Sequence, residues 1–109
     1  MTAKESLLGL KLKEQKMTIE GIELLIKELN AGDSSRYQTS LYKTINGTIQ
    51  MNLENASEKL IALTVYNPDD TKLFEVTELE QIKQLPASVV EKLFKVASKL
   101  NGLDKKVKN

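Results

Sequence analysis

Two groups of residues have the types and spacing from which chemistry could be built. Asp69, Asp70, Glu75, Glu78 and Glu80 bring five carboxylates close together in the chain, as a hard-cation site would require. Ser34-Ser35, with Lys43 downstream, offer hydroxyls and an amine that could act as nucleophile and base. Neither group has the supporting pattern. The carboxylates lack the alternating spacing and central glycine of a calcium loop, so they read as turn and helix-start residues. The two serines read as a polar helix start. Histidine and cysteine are absent from all 109 residues, which removes the usual base near neutral pH, thiol chemistry, disulfides and zinc knuckles. No glycine loop of a phosphate-binding type occurs. The residues argue for a non-catalytic protein without metal or cofactor.

Charge narrows the reading further. Sixteen basic and fifteen acidic residues leave a net charge of +1, which gives no polyanion-binding face. Lys11, Lys13 and Lys16, with Lys105, Lys106 and Lys108, could neutralise phosphates. Yet Arg36 is the one arginine, and arginine leads base-edge recognition. Glu14, Glu20 and Glu23 dilute the first cluster, and lysines on a strand edge also guard against edge-to-edge pairing. Nucleic-acid binding is therefore the weaker alternative to protein binding. No apolar run has the length of a signal-peptide core or a membrane span, which reads as a cytoplasmic protein.

The elements that must position these residues follow from local rules. Residues 2–8 read as a short helical turn or arm. Leu10 to Ile19 and Ile22 to Leu29 read as two strands joined at Glu20-Gly21, the competing reading being a helix from Ile19 to Asn30, which Gly21 and the short apolar run disfavour. Asn30 and Asp33 have capping spacing, predicting a helix from about Ala31 to Lys43 that carries Tyr37, Leu41 and Tyr42. Asn46-Gly47 breaks the chain. A third helix is expected from about Leu53 to Tyr66, with Leu53, Ala56, Leu60 and Leu63 inward and Leu60–Val65 the most buried stretch. Asn67-Pro68-Asp69-Asp70 is a turn. Thr77 and Glu80 have the spacing of a capping box for a short helix that ends before Pro86. Pro86 starts a last helix with Val89, Val90, Leu93, Phe94, Ala97 and Leu100 on one stripe, stopped at Asn101-Gly102.

That succession resembles one family, the tail assembly chaperones of long-tailed, lambda-type bacteriophages (siphoviruses). The resemblance is carried by Asp69-Asp70, Leu73-Phe74, Thr77 to Glu80, Leu85-Pro86 and Leu100-Asn101-Gly102-Leu103. Upstream, two strands end in Ile26-Lys27-Glu28-Leu29-Asn30 before a helix bearing Tyr37, so the likeness spans roughly residues 3–103. Two departures stand out: the family often has arginine where Lys27 stands and glycine where Asp70 or Thr71 stands. The resemblance implies a chaperone that binds the long helical tape measure protein and assists tail tube assembly with the tail tube protein. It also implies self-association, action in the bacterial cytoplasm and absence from the mature virion. A longer frameshifted product would accompany the short chain. The alternative is a small nucleic-acid-binding or adaptor accessory protein of a phage or prophage.

The expected architecture is one α+β, mostly helical domain over 1–103, its N-terminal β-hairpin packed against about four helices, with a flexible basic tail at 104–109. For a partner or a second copy, the candidate contact residues are Tyr37, Phe94, Val96 and Leu103.

Overall fold

Local chemistry sets the first turns of the chain. The computed structural model describes residues 2–103, so the expected basic tail at 104–109 lies outside the described residues. Thr2 and Glu5 form a reciprocal capping box that starts helix α1 (Ala3–Leu8), none of whose residues is buried. Strands β1 (Glu14–Ile19) and β2 (Ile22–Lys27) then pair antiparallel, from Ile19 opposite Ile22 to Glu14 opposite Lys27. Glu20 and Gly21 between them have φ of 50° and 78°, the left-handed pair that a two-residue hairpin turn needs. Alternation sends Met17, Leu24 and Ile26 to the core side of this hairpin.

Helix α2 (Ala31–Ser40) begins where the cap spacing places it: the Asn30 side chain accepts from the Asp33 N–H at 2.8 Å. It ends sooner than expected. Leu41 closes it, and Tyr42–Ile45 and Thr48–Met51 form strands β3 and β4 around Asn46-Gly47. Both turn residues again take positive φ, 50° and 78°. Helix α3 (Ala56–Thr64) is shorter than the sequence suggests at both ends, and Leu53 is exposed. Leu60, Ile61, Ala62 and Val65 are fully buried, so this is the centre of the core. Val65–Tyr66 forms strand β5, paired with Ile26 and Leu25, which gives a three-stranded sheet in the order β1-β2-β5.

The turn after β5 is held by Asp70 N–H to the Asn67 carbonyl at 2.9 Å and by the Asp69 carboxylate on Thr71. Lys27 and Asp70 meet here. Lys27 forms an ion pair with Asp70, and its ammonium lies 4.9 Å from the centre of the Tyr66 ring. Asp70 has φ 75°, the left-handed region where glycine is the usual occupant. Helix α4 (Leu79–Lys83) is not started by Thr77 and Glu80 as the spacing suggests. Glu78 instead accepts from the Glu75 N–H at 2.7 Å, and Glu80 pairs with Lys83 at 3.2 Å.

Helix α5 (Ala87–Leu100) packs across α3 and the β1–β2 hairpin. Asn101 at its end ties two distant parts of the chain together. Its side-chain oxygen Oδ1 accepts from the Leu29 N–H at 2.8 Å, and its side-chain Nδ2 donates to the Ala97 carbonyl at 2.9 Å. Gly102, at φ 70°, supplies the left-handed stop.

The mostly helical domain with about four helices is corrected. The described residues form five helices and two small sheets, and helix accounts for 44% against 23% strand. The difference arises where short segments chose strand: Tyr42–Met51 instead of a helix end and a break, and Val65–Tyr66 instead of the last helical turn.

Candidate protein-binding surface

The carboxylates that could have gathered around a cation are spread over local tasks. Asp69 takes the Thr71 hydroxyl and N–H, and that hydroxyl, more than the N–H, holds its carboxyl below the usual range. Asp70 serves Lys27, whose pKa is raised chiefly by that hydrogen bond. Ser34 accepts from the Gln38 amide at 3.0 Å, within α2. Among its charged surface residues the molecule also exposes large apolar side chains.

Of the residues read as contacts from sequence, Tyr37 is buried, and its hydroxyl donates to the Ala56 carbonyl at 3.1 Å. Burial pushes its phenol above the ordinary value. Phe94, Val96 and Leu103 are half-buried and packed against the core. The stripe of α5 is thus largely consumed by α3 and the first hairpin. These four residues are not brought together as one exposed patch.

The exposed apolar side chains lie elsewhere. In the β3–β4 hairpin, Tyr42 faces Met51 and Thr44 faces Ile49, which puts three of its four large apolar groups on one side of the ribbon, with Ile45 on the other. Every residue of both strands is exposed, Ile49 at 74%. A lone two-stranded ribbon is marginal in water, so such a face is more stable when covered. The sequence carried the signal: Asn46-Gly47 flanked by Ile45 and by Thr48-Ile49 is the strongest short-range hairpin pattern. The N-terminal arm shows Leu7, Leu8, Leu10 and Leu12 to solvent in the same way.

Beside the foot of the hairpin runs a groove of about 430 Å³ between α2, α3 and the segment leading into α4. Leu63, Val76 and Leu79 line it with Tyr37, and Arg36, Lys59 and Lys72 surround them, with Asp33 the one carboxylate among the described lining residues. Arg36 is engaged by Asp33 at 2.7 Å. Ser40, also in the lining, is the last residue of α2 before the hairpin stem. A second cleft of about 470 Å³, over the outer side of the first hairpin, is lined by Lys16, Leu25, Pro68 and the carboxylates Glu14, Glu23 and Asp70.

No family model and no curated protein matches the chain. Among solved structures it is similar to the tail assembly chaperone of bacteriophage HK97, with a TM-score of 0.64 and 18% sequence identity. The match covers 91% of this chain and 98% of that one, so it takes in the whole arrangement and not one motif. By its fold, then, the chain is built like a bacteriophage tail assembly chaperone across nearly the full length of both molecules.

Proposed function

We propose that this protein is a non-catalytic tail assembly chaperone of a long-tailed bacteriophage. One observation carries the reading: the fold of the HK97 tail assembly chaperone extends over 91% of this chain. The chain binds the tape measure protein, keeps that long helical polypeptide soluble before the tail tube encloses it, and works beside the tail tube protein. It acts in the cytoplasm of the bacterial host and is left out of the finished virion. The exposed faces of the β3–β4 hairpin and the N-terminal arm suit such a role, because an amphipathic helix in solution needs its apolar stripe covered. The hairpin is also the natural seat for self-association.

The test is co-expression with the longest open reading frame downstream, followed by size-exclusion chromatography with light scattering. A long helical product that stays soluble only when it co-elutes with this chain supports the reading. A product soluble by itself, beside a lone monomer of this chain, overturns it.

A further inference from the structure

We propose that the groove beside the hairpin foot is the seat for a helical partner segment whose apolar stripe is flanked by carboxylates. This rests on the chaperone reading for the partner's identity and on the groove alone for its chemistry. The floor is apolar: Val76 is 52% exposed although Leu63 and Leu79 lie beside it, so a partner side chain can replace water there. A helix presents such anchors at i, i+3 or i+4 and i+7. The surround decides which helix. Three cations against one carboxylate leave two positive charges in excess. Since Arg36 is committed to Asp33, the excess belongs to Lys59 and Lys72. Among the described residues Lys59 makes only a long contact, 3.4 Å, to the Ser40 carbonyl, which leaves its charge able to meet a carboxylate.

Charge also rules out the nearest alternative occupant. The N-terminal arm of a second copy would bring Leu7, Leu8, Leu10 and Leu12, but Lys4, Lys11 and Lys13 accompany them against Glu5 alone within residues 2–13. Cation would meet cation. A segment with Glu or Asp beside its leucines meets complementary charge instead, which raises the rate of encounter and selects against basic helices.

The experiment is a fluorescence anisotropy titration with two labelled synthetic amphipathic peptides. They share one leucine stripe and differ in carrying glutamate or lysine on the polar face. The wild-type protein should bind the glutamate peptide and not the lysine peptide, with affinity falling as salt rises. The double variant Lys59→Glu/Lys72→Glu should bind the glutamate peptide at least about tenfold more weakly, roughly 1.4 kcal/mol. Val76→Asp, at a position 52% exposed and outside the core cluster, should weaken it to a similar degree while circular dichroism stays that of the wild type. Equal binding of both peptides, binding of neither, or undiminished binding by the variants overturns the groove assignment. Co-expression separates the two readings. If Lys59→Glu/Lys72→Glu still keeps the tape measure protein soluble as the wild type does, the groove assignment fails and the chaperone reading stands.

Discussion

Tyr37 and Ser98 show at the residue scale how a buried hydroxyl can help or harm this fold. Tyr37 is buried with its hydroxyl bonded to the Ala56 carbonyl, which ties α2 to the first turn of α3. Tyr37→Phe should cost about 1 kcal/mol at pH 7 in urea denaturation. The sign of its pH dependence follows from burial, which raises the folded-state pKa above the unfolded value near 10. The tyrosine's contribution is therefore complete below about pH 10 and is lost as pH rises through the higher folded value. Wild type and Tyr37→Phe should converge in stability in that alkaline window; a constant gap would contradict the assignment. Ser98 is the opposite case. Its hydroxyl is buried in α5 with no hydrogen-bond partner among the described residues. Ser98→Ala removes the unsatisfied group and adds helix propensity, so it should stabilise by about 1 kcal/mol. Calorimetry should then show a melting temperature higher by about 4–8 °C; an unchanged or lower value would mean that the hydroxyl is satisfied.

Elements differ sharply in how much of the fold depends on them. Helix α3 supplies the fully buried centre, and α5 covers it, so both belong to the stable body. The β3–β4 hairpin contributes no buried residue. Its two ends meet where the Asn52 N–H bonds to the Leu41 carbonyl, so the ribbon can be excised without opening the body. Replacing residues 42–51 with an Asn-Gly link should leave urea stability within about 1 kcal/mol. The same change should abolish the self-association proposed for this face, read by analytical ultracentrifugation. A larger loss of stability would show that the ribbon holds the body together; retained self-association would move the contact elsewhere. Legibility follows the same division. Helix α5 was readable because its stripe and glycine stop are local, and the first hairpin because one of its faces alternates apolar. The second hairpin has no core face, so its alternation is short, and only the Asn46-Gly47 turn marks it.

At the scale of the whole molecule the chain is more extended than its length requires. The accessible surface is 7873 Å², against about 6,000 Å² for a compact monomer of this mass. The radius of gyration is 15.4 Å, against about 13 Å for a compact domain. Small-angle scattering of the monomer should give about 15 Å, and a value near 13 Å would mean that the arm and hairpin fold back on the body. The sequence by itself determined the local devices: the Asn30 cap, the Glu20-Gly21 turn, the Pro68 turn, the α5 stripe and the glycine stop. Each depends on residues within a turn or two of one another, and caps, φ preferences and periodicity act at that range. It also excluded the usual thiol and histidine chemistry through composition. Tertiary structure decided what needs distant partners. Val65–Tyr66 became strand because the free edge of β2 was there to pair with, and a single sequence does not encode that meeting locally. Leu10, Leu12, Ile49 and Met51 stayed outside because the core formed by α3, α5 and the first hairpin was already closed without them. Apolar patterning states that a side chain prefers burial. Only the assembled fold decides whether this chain supplies the cover or leaves it to a partner.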